Sequence, residues 1–153
     1  MQLFLEQLVN GIALGSLYGL FGIGFGLVFA TLGILNTAHG AYASWAAIIG
    51  YFAVIWYDVS FPVAIAAGVI GGGLLAIAVD QIGFQPLRNR KTGMLGALIT
   101  SIAFLIILDS LAGMATNHQS WAFPARTYPR GMLDLGFMRI PYMQLIIIGS
   151  MLF

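Results

Sequence analysis

From Gln7 to Tyr57 the chain runs for 51 residues without one Asp, Glu, Lys or Arg. A soluble domain carries roughly a quarter of its residues as charged side chains, because its surface must face water. Here only 7% of 153 residues are charged and 60% are hydrophobic, with a mean hydropathy of +0.96. Too few charges exist to coat a globule of this size, so the solvent around most of the chain is lipid. A spanning helix uses about 20 mainly apolar residues. The uncharged run is therefore too long for one span and about right for two.

The division falls where polar residues interrupt the run, in "GILNTAHGAY" at residues 33–42. The pattern predicts a first helix at roughly 8–34 and a second at roughly 37–57. Asn36 and Thr37 are favourable N-cap residues for the second helix. His39 then lies in its first turn, able to donate and accept across a helix junction, and Gly40 leaves room for another backbone. Two readings follow. One is a capped junction with a hydrogen-bonded neutral histidine. The other is a helix break facing a transport cavity, where exposed N–H groups meet a polar solute.

Asp58, Ser60 and Pro62 punctuate the chain next, and proline is favoured at a helix start. A third apolar segment runs from Pro62 to Phe84, interrupted only by Asp80 and Gln81. "QPLRNRKTG" reads as a basic loop holding Arg88, Arg90 and Lys91. A fourth segment covers about Met94 to Met114, with Asp109 near its end. Residues 115–140 form a longer polar connection containing Pro124, Arg126, Pro129, Arg130, Asp134 and Arg139. A fifth apolar segment starts at Pro141 and is present for 13 residues. That is too short to span, so the pattern predicts either a longer protein or a re-entrant segment. The start, MQLFLEQLVNG, is acidic and runs into too long an apolar stretch for a signal peptide. It reads as the first helix. The basic density of "RNRK" places that loop in the cytoplasm and the N-terminus outside. The expected fold is all-α: one polytopic transmembrane bundle of about four full spans plus the start of a fifth, over residues 1–153.

Several chemistries are excluded. There is no cysteine, and the one lysine, Lys91, follows "LRNR" rather than a phosphate-binding glycine loop. His39 and His118 are 79 positions apart, so they form no helical metal pair. "GIGFG" lacks the preceding strand and following acid of a dinucleotide fingerprint. No basic tract suits nucleic acid, and no enzyme, metal site or cofactor is expected. The 20 glycines are more informative. Gly11, Gly15 and Gly19 recur every four residues, and Gly22 and Gly26 repeat the spacing. Ala64, Gly68 and Gly72 do so in the third segment, and Gly93, Ala97 and Ser101 in the fourth. Small residues at that interval let helix backbones approach closely, either as static packing or as a glycine hinge. Asp80 and Asp109 lie near helix ends, where they are solvated, paired, or part of the solute route. Arg126 and Arg130 are candidate partners for Asp109.

"LNTAHGAYASWAAIIGY" resembles the Asn-x-Ala-His-Gly signature of branched-chain amino acid ABC transporter permeases of the LivH type. "NGIALGSLYGLFGIGFGLVFATLGILN" is similar to that family's first helix, "FQPLRNRK" to its basic loop, and "LGALITSIAFLIIL" to the helix after it. The pieces occur in family order over essentially the whole chain. Departures are Asp80-Gln81 where the family carries Glu-Arg, Gln85 where Arg precedes the proline, Ala103 for a glycine, and Asp109 for Gln or Glu. The chain is also about half a complete permease and lacks the later loop that engages the ATPase. The resemblance implies an inner-membrane permease subunit working by alternating access. Its implied partners are two ATPase subunits, a second permease subunit and an external solute-binding protein. Branched-chain amino acids are the implied solutes, with urea or short amides handled by relatives. Competing readings are an ion-gradient-driven transporter or channel, and a non-transporting truncated assembly subunit.

Overall fold

The uncharged run divides at the polar cluster, with different boundaries from those expected. In the computed structural model of the chain, residues 2–90, 93–128, 131–134 and 139–151 are described. Helix α1 spans Gln2–Leu32. It starts six residues before the expected 8, because the apolar count measures only hydrocarbon while a helix continues into the headgroup layer. Gly33 ends it at φ 64°, a left-handed conformation that suits glycine, and its N–H bonds the Phe29 carbonyl at 2.9 Å.

Helix α2 is His39–Tyr57, two residues shorter at its start than expected. Its cap is Ala38, without a side-chain bond, so the expected N-cap roles are corrected. Asn36 acts one residue earlier: its Oδ1 accepts from the Ala38 N–H at 3.1 Å. Thr37 does no capping. Its hydroxyl meets Ser101 at 2.9 Å on another helix.

Helix α3, Phe61–Val79, has Pro62 in its first turn. No loop follows at residue 85. The chain passes through a five-residue π-helical turn, Asp80–Phe84, directly into α4, Gln85–Asn89. Gln85 donates its N–H to the Asp80 carbonyl, five residues back. Pro86, which has no N–H to give, fits the first turn of α4. The basic segment is thus helical as far as Asn89, and Lys91 lies outside the described residues. Helix α5 is Gly93–Thr116. The expected irregular connection after it contains an antiparallel hairpin, β1 (Met132–Asp134) with β2 (Arg139–Pro141), pairing Leu133 with Ile140. Pro141 ends a strand rather than starting a helix, and α6 is Tyr142–Met151.

Among the described residues four helical stretches are long and apolar enough to cross a membrane: Leu3–Thr31, His39–Tyr57, Phe61–Asn89 and Gly93–Thr116. The chain is a multi-pass helical membrane protein.

Its contacts fall into two compact units. Residues 28–123 form the unit that carries the polar cluster. There α2 and α3 pack antiparallel, with Gly50 against Ala64, Ala46 against Gly68, and Tyr42 against Gly72. A Cβ on Gly68 would stand 2.5 Å from the Ala46 carbonyl oxygen, and one on Gly72 would stand 2.8 Å from the Ala46 Cβ. The stripe of small residues in α3 therefore allows backbone-to-backbone contact. Of the corresponding stripe of α5, Ala97 and Ser101 are covered, 4% and 0% exposed, while Gly93 is exposed at the helix start. α5 runs parallel to α2, tied by Thr37 to Ser101 and by the Trp45 Nε1–H to the Leu108 carbonyl at 3.0 Å. At the other end of α2, Tyr51 and Phe52 pack on Trp121 at ring separations of 4.9 and 5.4 Å.

The second unit comprises residues up to 27 and from 124 onward. In it Gln144 on α6 donates to Asn10 on α1 at 3.3 Å, and Arg139 pairs with Asp134 across the hairpin at 3.3 Å. Four glycines of the first stripe stand open among the described residues. A Cβ on Gly11, Gly15, Gly22 or Gly26 would meet nothing within 4 Å, and Gly19 is half-buried.

Candidate functional site

The segment 33–38 links the end of α1 to α2, and its polar side chains are spent on hydrogen bonds within the link and to neighbouring helices. Asn36 accepts from Ala38 and donates its Nδ2–H to the Tyr42 hydroxyl at 3.4 Å, one turn into α2. The Asn36 carbonyl accepts the His39 N–H at 3.2 Å. Ser101, wholly buried, takes the Thr37 hydroxyl at 2.9 Å and lies 3.1 Å from the Leu35 carbonyl. Each bond relieves a polar group that hydrocarbon would otherwise leave without a partner at a cost of several kcal/mol. Ala38 and Tyr42 consequently sit in the core, 0% and 8% exposed.

Beside this junction lies a cavity of about 650 Å³. One wall comes from the end of α1 and the start of α2, with Val28, Ile34, Asn36, His39, Tyr42 and Ala46. The other comes from α3 and its continuation, with Val69, Gly72, Ile77, Asp80, Gln81, Phe84 and Gln85. The two walls meet here because α2 and α3 are antiparallel, so the first turn of one faces the last turns of the other. The His39 ring approaches Tyr42 edge-on, centroids 6.5 Å apart at 81°. Asp80 is held by Arg88, whose two terminal nitrogens bond its two carboxylate oxygens at 2.8 Å each. The cavity thus has aliphatic sides and a polar end made of an imidazole, three amides and a neutralised carboxylate.

The structure brings together Asn36 and His39 from the expected set. Thr37 and Gly40 are not lining residues; Thr37 serves the α5 contact, and the Gly40 carbonyl accepts from Ser44 at 3.2 Å. Asp109 stands at an exposed position of α5, away from the cavity lining, and Arg130 lies outside the described residues. Arg88 belongs to the helix and Arg90 caps it, its N–H bonding the Pro86 carbonyl at 3.1 Å. Residue reasoning missed Tyr42, Gln81 and Gln85. The available signal was polar spacing: Gln81 and Gln85 are four apart, hence on one helix face. Among the described residues no group of three or more His, Asp or Glu side chains is placed to hold a metal.

Relatives with this sequence pattern are permeases. The chain is 33% identical over 132 residues to LivH, the high-affinity branched-chain amino acid transport system permease protein of Salmonella typhimurium. That match covers 80% of this chain and 42% of the relative. LivH of Escherichia coli K12 is 32% identical over 132 residues, covering 80% and 42%. BraD of Pseudomonas aeruginosa, a permease protein of the same description, is 28% identical over 155 residues, covering 94% and 50%. Over 80–94% of its length the chain is similar to LivH-type permeases. It spans about half the length of the curated relatives it matches. No family profile matches it, and no solved structure matches it.

Proposed function

We propose that the chain forms part of the solute pathway of an ATP-binding cassette importer for branched-chain or related amino acids. The supporting observation is the cavity of about 650 Å³ where Asn36 and His39 meet Asp80, Gln81 and Gln85. Small-molecule sites run from roughly 300 to 1,000 Å³ and combine apolar walls with a few placed polar groups. Val28, Ile34, Val69 and Ile77 suit an aliphatic side chain, and the polar end suits a charged or amide head group. The names of the relatives supply the solute class.

In this reading ATP is hydrolysed by two partner subunits, a second permease subunit completes the pathway, and an external binding protein delivers solute. The protein lies in the plasma membrane of a bacterial-type cell, with the Arg88–Arg90 end in the cytoplasm. The cavity then sits at the cytoplasmic end of α2 and α3, and alternating access moves the helices around it.

The test is uptake of labelled leucine and valine in cells expressing the gene that encodes this chain with its transport partners. His39→Ala should lower uptake or membrane yield severely while leaving the leucine-to-valine ratio unchanged. Altered preference at unchanged yield would instead put the imidazole on the solute. Uptake that continues without ATP or the ATPase, driven by an ion gradient, would overturn the importer reading.

A further inference from the structure

We propose that Arg88 is a positioning residue: its ion pair with Asp80 holds the π-helical turn in place, and that turn decides which side chains of residues 80–85 face the cavity. The bearing on transport rests on the solute-pathway reading above; the clamp itself does not.

Helical phase decides whether the two side chains can meet. In an α-helix, eight residues sweep about 800°, so side chains eight apart point roughly 80° away from each other and about 12 Å along the axis. A π turn closes its bonds five residues apart and so admits one extra residue. The eight steps from Asp80 to Arg88 then sweep about as much as seven α-helical steps, roughly 700°, and the two side chains come within about 20° of one face. That is what the structure has. Both terminal guanidinium nitrogens reach both carboxylate oxygens at 2.8 Å. A two-pronged pair demands orientation as well as distance, so it is compatible with the π turn and poorly compatible with a regular helix.

Pro86 weakens the alternative without selecting the observed form. In a regular helix its ring would crowd the carbonyl of Ile82 and leave that carbonyl without a donor. The opened turn relieves this, with Gln85 bonding Asp80 instead. The Asp80–Arg88 pair closes the turn from outside.

Loss of the extra residue would advance everything after the turn by about 100°. The helix before it is not free to turn, because Gly68 and Gly72 are seated on Ala46. Phe84, which lines the cavity with only 4% of its surface exposed, would swing to the exposed place Gln85 holds. Gly83, which lies flat against the Phe104 ring, would leave it. The cavity wall would thereby lose the Gln85 amide and expose more of an aromatic ring it already holds.

The chain has no cysteine, so Phe84→Cys in the membrane-embedded protein carries the sole thiol, and its rate of labelling by a water-soluble maleimide reads the register. With the native pair, labelling should be slow relative to Gln85→Cys, which stays accessible throughout. Adding Arg88→Gln or Asp80→Asn should speed it about fivefold, the upper end for a half-exposed ion pair. The exchanged pair, Asp80→Arg with Arg88→Asp, should restore slow labelling. Protection that persists in either single variant would overturn the clamp. So would failure of the exchanged pair to restore it, including by failing to accumulate. Uptake by the same variants separates the two readings. A freed thiol with unchanged uptake supports the clamp while removing this cavity from the solute's route.

Discussion

Gly68→Ala is the sharpest probe of how α2 and α3 are held together. The added methyl would stand 2.5 Å from the Ala46 carbonyl oxygen, about 0.9 Å short of ordinary contact at 3.4 Å. The obstacle is backbone, so no rotamer change relieves it and the helices must part. Overpacking of this kind costs about 1–3 kcal/mol. Against it stands a gain of up to about 1 kcal/mol, because alanine favours helix over glycine. Gly15→Ala on α1 collects the same gain with nothing within 4 Å to strike. The difference between the two variants therefore isolates the steric cost. Gly71→Ala is the intermediate case, since its methyl would meet the tip of the Ile49 side chain at 2.7 Å, and that tip can move.

Thermal unfolding in mild detergent, followed by helical circular dichroism, measures all three. At roughly 2–4 °C per kcal/mol for a chain of this size, Gly68→Ala should unfold about 2–12 °C below Gly15→Ala, with Gly71→Ala between them. Equal midpoints for Gly68→Ala and Gly15→Ala would refute the claim that these backbones touch.

Three further outcomes follow from single contacts. Ser101→Ala should cost about 1–3 kcal/mol, because the Thr37 hydroxyl loses its partner inside the protein. Combined with Thr37→Val it should cost less than the sum of the two, by about 0.6–1.7 kcal/mol, the coupling typical between membrane helices; additive losses would show that the pair does not interact. Trp45→Phe frees the Leu108 carbonyl and should destabilise by about 0.5–1.5 kcal/mol, whereas Trp56→Phe, at a residue 69% exposed, should have a smaller effect in the same assay. Gly33→Ala places a Cβ at φ 64° and should cost about 1–2 kcal/mol, with Gly33→Asn milder; equal midpoints would argue that α1 ends differently.

Spans were legible because hydrocarbon imposes a length. The uncharged run gave two helices, and the third and fourth segments appeared close to their expected positions. Ends were less legible, since a helix leaving the membrane keeps its hydrogen bonds and only its composition changes. That is why residues 85–89 read as loop and fold as helix. The π turn had no composition signal at all. It arises from the conjunction of Pro86 with an acid and a base eight residues apart, a spacing that looks wrong for a helix until the extra residue is counted. The glycine stripes were visible as stripes, but spacing does not say what a stripe meets: Gly68 meets a carbonyl, and Gly15 meets nothing within 4 Å.

The polar cluster shows the same division between what a pattern implies and what partners decide. The second helix has no side-chain cap; Asn36 instead takes the N–H of Ala38, the residue just before the helix. Thr37 is accounted for by Ser101, 64 residues away, and so belongs to helix packing rather than to the turn. His39 is different, because its ring is placed on a cavity to which another helix, more than 40 positions downstream, brings Asp80, Gln81 and Gln85. The imidazole, the three amides and the paired carboxylate converge on one open volume instead of being spread over the helix ends. That convergence of polar groups from two helices supports reading the Asn36–His39 junction as one wall of a site as well as a turn.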